Sequence, residues 1–81
     1  MRVHVRYFAA LREKAGKDSD ELTVPDGATV SEARAALTER YPQLAPTLVA
    51  CAAAVNRAYA SAETALNEGD ELVFIPPLGG G

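Results

Sequence analysis

Polar and apolar side chains alternate along the first residues of the chain. This period of two predicts a strand with one buried face. The polar positions are Arg2, His4 and Arg6, and the apolar positions are Val3, Val5 and Tyr7. Residues 8–15 are mostly helix formers and precede Gly16, which predicts a short helix. A second strand is predicted at residues 21–24, before a turn at Pro25-Asp26-Gly27.

The longest amphipathic segment of the chain follows this turn. Thr29 and Glu32 have the spacing of a capping box, in which each side chain satisfies a backbone amide at the other end of the first turn. We therefore predict that the main helix begins at Val30 and that Pro42 marks its end. Its apolar positions recur at steps of three and four, as in a helix with one face on a sheet. They are Val30, Ala33, Leu37 and Tyr41.

The second half of the chain is punctuated by prolines and turns. Residues 43–49 contain Pro46 and are predicted to be irregular, with Leu44 and Leu48 filling the edge of the core. A hairpin is predicted from residues 51–55 and 58–60 around the turn Asn56-Arg57. Residues 71–75 have the strongest strand pattern, after a turn at residues 67–70. This order predicts an α+β domain of the β-grasp type, with one main helix across a mixed sheet of four to five strands.

Length and charge restrict the classes of function. A chain of 81 residues supports one core and therefore one domain. The net charge of −3 argues against nucleic acid or a membrane surface as the partner. The alternating start resembles neither a signal peptide nor a membrane span, so we expect a cytoplasmic protein.

Side chains suited to catalysis or metal binding are scarce. Cys51, the single cysteine, lies in an apolar run and is interpreted as a buried thiol, which excludes an internal disulfide. The single histidine, His4, is expected to be solvated on the polar face of the first strand. The acidic residues of segment 63–71 lack the order of a calcium loop. We expect no bound metal or cofactor and no catalytic side chain, and the pattern leaves open whether the protein is an enzyme.

The C-terminal residues are unusual in composition. They form a predicted tail at residues 77–81, after a domain of residues 1–76. Prolines restrict the root of such a tail, while glycines let its tip enter a narrow channel. A carboxylate delivered in this way suits a partner's active site, after activation with ATP by another enzyme; an incidental, frayed end is the alternative. The tail comprises Pro77, Leu78, Gly79, Gly80 and Gly81, and Pro76 precedes it as the last residue of the domain.

The last strand has apolar side chains on both of its faces, whereas a single helix covers only one face of a sheet. A docking patch is therefore predicted near the root of the tail, unless loops bury these residues. Arg12 and Glu13 are candidates for a polar rim, with a solvated helix face as the alternative. The patch comprises Phe8, Tyr59, Val73 and Ile75, with Pro76, Pro77 and Leu78 as its continuation.

Several motifs together resemble the ubiquitin-like sulfur-carrier family that includes MoaD, the small subunit of molybdopterin synthase, and ThiS. The match spans essentially the whole chain, and its motifs are residues 7–13 with Gly16, residues 54–56, residues 69–77 and the terminal Gly80-Gly81. The resemblance implies that a MoeB-like adenylyltransferase adenylates Gly81 at the expense of ATP. The product is converted to a thiocarboxylate that donates sulfur for the molybdopterin dithiolene.

The same resemblance implies a large-subunit partner similar to MoaE, in a heterotetramer of two small and two large subunits. Gly80 and Gly81 match the pair of glycines that the family requires, and Phe8, Tyr59 and Ile75 match its apolar partner-binding surface. Gly79 departs from the Thr or Ser often found there. Three alternatives remain open: a sulfur carrier for thiamin thiazole synthesis or tRNA thiolation, a ubiquitin-like protein modifier, and a plain interaction domain.

Overall fold

A mixed sheet forms one layer of the molecule and short helices form the other, in a computed structural model that describes residues 1–77. The sheet has five strands in the order β2-β1-β5-β3-β4. Central β1 and β5 are parallel, and the other neighbouring pairs are antiparallel. The elements are β1 Arg2–Arg6, α1 Ala9–Ala15, β2 Ser19–Thr23, α2 Val30–Arg40, α3 Ala45–Leu48, β3 Ala52–Val55, β4 Ala58–Ala60 and β5 Glu71–Ile75.

The core lies between the helices and the inner face of the sheet. The predicted inward positions of β1 are confirmed, since Val3, Val5 and Tyr7 are buried. On α2 the predicted apolar stripe is also buried, except that Tyr41 is only partly covered. The largest fully buried side chains are Tyr7, Phe74, Leu11, Leu37, Leu44, Leu48, Leu66 and Leu72.

The predicted capping box starts the main helix. The Glu32 backbone N–H donates to the Thr29 hydroxyl at 3.2 Å, and the Thr29 backbone N–H donates to the Glu32 carboxylate at 2.9 Å. Both bonds satisfy amides that have no partner within the helix. At the other short helix, Gly16 has a φ of 76°, a left-handed conformation that ends α1 and favours glycine. Both predicted helix boundaries are thus confirmed.

The prediction of an irregular segment at residues 43–49 was wrong. A 3₁₀ helix spans Pro42–Leu44, and α3 follows directly. Proline is compatible with both helices because each proline lies in a first turn, where no amide hydrogen is needed. The Arg34 guanidinium donates to the carbonyl oxygens of Leu48 and Cys51, which caps the end of α3.

Strand β2 lies earlier in the chain than the predicted residues 21–24. It begins at Ser19 because the antiparallel register pairs Arg6 with Ser19 and Val5 with Asp20. A strand at the edge of a sheet accepts polar residues of this kind. The hairpin around Asn56-Arg57 and the strand at residues 71–75 are confirmed.

A charged cluster joins β2 to the C-terminal end of α2. The Tyr41 hydroxyl donates to the Asp20 carboxylate at 2.6 Å. The charged groups of Lys17 and Arg40 lie 3.5 and 3.7 Å from the same carboxylate. Burial alone would raise the pKa of Asp20, but the Tyr41 hydrogen bond and the charges of Arg40 and Lys17 lower it below its ordinary value.

The two side chains considered for catalysis lie where the sequence predicted. Cys51 is 6% exposed, and its thiol donates to the Thr47 carbonyl oxygen at 3.2 Å. Burial raises the pKa of this thiol, and the nearby Arg34 charge only partly opposes the effect. His4 is exposed on β1.

None of the helices within residues 1–77 has the length and hydrophobicity of a membrane-spanning segment.

Candidate functional site

The face of the sheet opposite the helices carries the predicted apolar patch; we call it the outer face. The strand registers place one row of side chains across four strands. On β5, Leu72 and Phe74 are buried beneath the helices, whereas Val73 and Ile75 on the outer face are only partly covered. The prediction that both faces of this strand are apolar is therefore confirmed. The row consists of Arg6, Val73, Ala54 and Tyr59.

A groove of about 320 Å³ runs across the outer face. It brings together all four residues of the predicted patch. Phe8 is 45% exposed and Tyr59 is 79% exposed, so loops do not bury these aromatic rings. We call this site the outer-face groove; it is lined by Arg6, Phe8, Ala54, Arg57, Tyr59, Glu71, Val73 and Ile75.

One wall of the groove is Phe8, which lies between β1 and α1. Its backbone is extended, with φ −125° and ψ 154°, and its carbonyl oxygen accepts the N–H groups of Leu11 and Arg12 at the start of α1. The Arg6 guanidinium lies 5.4 Å from the centre of the Phe8 ring, within the range of a cation–π contact. These contacts hold the aromatic ring at the mouth of the groove.

The opposite wall belongs to the β3–β4 hairpin, which is anchored through Asn56. The Asn56 side chain donates to the Asp70 carboxylate at 2.9 Å and accepts the Glu71 backbone N–H at 3.0 Å. Asn56 and Arg57 have φ values of 50° and 70°, the left-handed pair of a type I′ turn. The turn fixes the register that places Tyr59 beside Ala54 on the outer face.

Charged residues in the groove were missed by the sequence analysis. Arg6 and Glu71 form an ion pair at 3.7 Å between their side chains. Strand alternation contains a signal for both, because Arg6 precedes Phe8 by two residues and Glu71 precedes Val73 by two. Arg57 lies in a turn, where alternation gives no such signal.

Four other predicted residues within the described part of the chain, Arg12, Glu13, Pro76 and Pro77, do not line the groove. Pro76 and Pro77 border a separate cleft of about 360 Å³, formed with α1 and α3. Arg12 and Glu13 are exposed on α1, where Arg12 pairs with Asp18 at 3.8 Å, and neither contributes a rim to the groove. The predicted boundary at residue 76 stays a prediction. Four predicted tail residues lie outside the described part of the chain: Leu78, Gly79, Gly80 and Gly81.

Parallel central strands, a main helix across the sheet and an apolar groove on the open face define a ubiquitin-like β-grasp domain. The model of the ThiS family matches residues 5–81, and the chain belongs to this family. The family resemblance found in the sequence is therefore confirmed.

Two relatives match the chain over at least 98% of the length of both proteins. A protein from Chlamydomonas reinhardtii is 36% identical, with all of both chains covered. One from Escherichia coli is 38% identical, covering 98% of this chain and 99% of the relative. Both are named molybdopterin synthase sulfur carrier subunit.

Solved structures share the fold. The small archaeal modifier protein 1 from Haloferax volcanii has a TM-score of 0.88 and 28% identity, covering 95% of this chain and 98% of that chain. A complex of subunits 1 and 2 of the molybdopterin-converting factor from Helicobacter pylori contains a chain with a TM-score of 0.72 and 27% identity, with both chains fully covered. The predicted β-grasp fold is confirmed by these similarities.

Proposed function

We propose that this protein is the sulfur-carrier small subunit of molybdopterin synthase, with the acyl group of Gly81 as its reactive centre. The names of the full-length relatives support this role. One structural observation carries the proposal: Val73 and Ile75 of β5 line the outer-face groove, and the C-terminal segment that contains the glycines follows Ile75 directly in the sequence. A partner seated in the groove therefore lies beside the root of the tail.

The length of the tail suits this arrangement. Six residues follow Ile75 in the sequence. At roughly 3.3 Å per residue, an extended chain of this length spans about 20 Å. That distance carries the Gly81 carboxyl group from the groove into the active site of a docked protein. Gly80 and Gly81 have no Cβ atoms, so a narrow channel accepts them.

The proposed chemistry begins with activation, because a free carboxylate is a poor acyl donor. The Gly81 carboxylate attacks the α-phosphorus of ATP, which forms an acyl-adenylate and releases pyrophosphate. A sulfur nucleophile then displaces AMP and leaves a thiocarboxylate. The thiocarboxylate sulfur then bonds to a carbon of the pterin precursor as an oxygen substituent leaves that carbon, and hydrolysis of the acyl–sulfur bond returns the carboxylate. The protein itself holds no cofactor in this scheme, and ATP is consumed by the activating partner.

Two partners follow from this chemistry. A MoeB-like adenylyltransferase performs the activation, and a MoaE-like large subunit receives the sulfur in a heterotetramer of two small and two large subunits. The similarity to the Helicobacter pylori structure, which is a complex of subunits 1 and 2, supports the second partnership. In the proposed complex the groove supplies the docking surface and the large subunit supplies the catalytic side chains.

A second function is favoured by one observation. The Haloferax volcanii structure with a TM-score of 0.88 is that of a small archaeal modifier protein. A protein modifier uses the same activated carboxyl group, but an amine of a target protein displaces the adenylate and an amide forms.

Intact-mass spectrometry separates these functions. The protein is incubated with a MoeB-like adenylyltransferase, ATP and a sulfur donor, and then with the large subunit and the pterin precursor. We expect the mass increase of one oxygen replaced by sulfur, localised to Gly81, and its loss in the second step. A stable mass increase would indicate a different sulfur pathway, such as thiamin thiazole synthesis or tRNA thiolation. Adducts with target proteins in place of the thiocarboxylate would identify a modifier.

A further inference from the structure

The charge of the outer-face groove differs in sign from the charge of the chain. Its lining contains two arginines and one glutamate, a net charge of +1, whereas the whole chain has a net charge of −3. Arg6 is occupied by its ion pair with Glu71 and its contact with Phe8. Within residues 1–77, the Arg57 side chain takes part in no ion pair or hydrogen bond. One cation on the groove wall therefore has no partner in the described part of the molecule.

The backbone at Arg57 gives an independent indication. Its φ of 70° is in the left-handed region, at the second central position of a type I′ turn. Glycine is favoured at that position, because a residue with a Cβ atom is strained there. The geometry of the turn therefore does not explain why an arginine occupies this position. Residues with a strained backbone conformation cluster at functional sites.

We propose that Arg57 is a specificity-determining residue of the outer-face groove, and that it pairs with a carboxylate on the protein segment that fills the groove. This inference rests on the proposed function, so the segment belongs to the large subunit. It presents an apolar side chain between Phe8 and Tyr59 and an Asp or Glu beside Arg57. An arginine fork binds a carboxylate through two parallel hydrogen bonds, which adds orientation to attraction.

The position of Arg57 determines which binding property it changes. A charge at the rim of an interface accelerates the encounter of the two proteins and selects the partner of opposite charge. Salt screens this contribution, because the Debye length falls from about 10 Å at 0.1 M to about 3 Å at 1 M. The apolar contacts of Phe8 and Tyr59 lack this dependence on salt.

The test compares binding of the purified large subunit to the intact protein and its variants by surface plasmon resonance, at low and high salt. Arg57→Gly removes the charge and relieves the turn, so we expect an equal or higher melting temperature together with about tenfold weaker binding at low salt. The loss should appear mainly in the association rate and should shrink at high salt. Arg57→Lys, which keeps the charge without the fork, should lose less.

Arg2→Gln is the matched control. Arg2 is an exposed arginine at the start of β1, pairs with Glu21 at 3.6 Å and does not line the groove. Its substitution should leave binding within about twofold of wild type. Equal binding of Arg57→Gly and wild type at both salt concentrations would overturn the assignment of Arg57, as would a loss of binding independent of salt. Failure of the wild-type protein to bind the large subunit would instead contradict the proposed function, on which the assignment depends.

Discussion

Two exposed aromatic residues dominate the outer face at the scale of single side chains. Phe8 and Tyr59 are 45% and 79% exposed, so they contribute little to the core of the isolated chain. Aromatic residues at the centre of an interface contribute a large share of binding energy. Their exposure beside a groove therefore separates their contribution to binding from their contribution to folding.

Substitution of Tyr59 tests this separation. We expect Tyr59→Ala to weaken binding to the large subunit by about 30-fold, which corresponds to about 2 kcal/mol, because the ring forms one wall of the groove. The free energy of unfolding should change by about 0.5 kcal/mol or less. Isothermal titration calorimetry and thermal unfolding measure the two quantities.

Val49 provides the control for Tyr59. It is 78% exposed and lines a different cavity, between α2 and α3. Val49→Ala should leave both binding and stability close to those of wild type. Equal losses of affinity in the two variants would show that general surface hydrophobicity, rather than the groove, determines binding.

The sequence was sufficient to identify the apolar residues of the site, for a simple physical reason. Strand alternation assigns Val73 and Ile75 to the outer face, and the same rule separates Phe8 from the buried Tyr7. The position of Arg57 on the groove wall could not be predicted from strand alternation, because it depends on the backbone angles of a two-residue turn. Pro76 and Pro77 were grouped with the patch by proximity in sequence, whereas they border a neighbouring cleft.

At the scale of the elements, the Asp20 carboxylate links edge strand β2 to the end of α2. The side chain of Asp20 is only 10% exposed and faces two positive charges and the hydroxyl groups of Tyr7 and Tyr41. Its pKa is lowered in the folded protein, so its contribution to stability is present above the unfolded pKa of about 3.9 and is lost as the pH falls through the folded pKa.

This linkage predicts the pH dependence of an Asp20→Asn variant. At neutral pH the free energy of unfolding of the variant should be about 1 to 2 kcal/mol lower than that of wild type, because a charged hydrogen-bond acceptor is replaced by a neutral one. The difference should diminish as the pH falls below about 4, where the Asp20 carboxylate of the unfolded chain becomes protonated, and should be lost as the pH falls through the lower pKa of the folded protein. Urea unfolding between neutral pH and pH 2.5 measures both effects.

The control is Asp18→Asn. The Asp18 side chain is 86% exposed and forms a surface ion pair with Arg12. A pair of this kind contributes about 0 to 1 kcal/mol. A stability difference between Asp20→Asn and wild type that persists unchanged at low pH would contradict the assigned direction of the pKa shift.

Most element types followed from the sequence, and the wrong assignment of residues 43–49 has a physical cause. The capping box of Thr29 and Glu32 and the glycine at position 16 are local signals that mark the ends of helices directly. Residues 43–49 were misread because Pro46 was interpreted as a break. A proline in a first turn begins a helix as readily as it ends one, and only packing of Leu44 and Leu48 against the core decides between the two.

At the scale of the whole molecule, folding and proposed chemistry occupy different parts of the chain. The buried core cluster extends from Val3 to Phe74, within the described residues. The outer-face groove lies on the opposite side of the sheet from that core. Because the proposed reactive group is at Gly81, a change at the tail should affect chemistry without affecting the fold.

Removal of Gly80 and Gly81 tests this division. We expect the shortened protein to melt within about 2 °C of wild type, since no residue of the core cluster is removed. Thiocarboxylate formation should be abolished, as measured by intact-mass spectrometry. Gly79→Ser, which preserves the terminal pair, should still form the thiocarboxylate. A large drop in melting temperature on truncation would mean that the tail stabilises the fold.

The burial of Cys51 gives the protein a chemical selectivity. Its thiol is the single cysteine thiol of the chain, is 6% exposed and has a raised pKa, so little of it is thiolate at neutral pH. A thiocarboxylate at Gly81 would be an ionised sulfur nucleophile under the same conditions. An electrophilic label applied to the folded protein would therefore react with the sulfur atom at Gly81 and not with the Cys51 thiol. The labelled fraction would then equal the fraction of protein molecules that carry the thiocarboxylate.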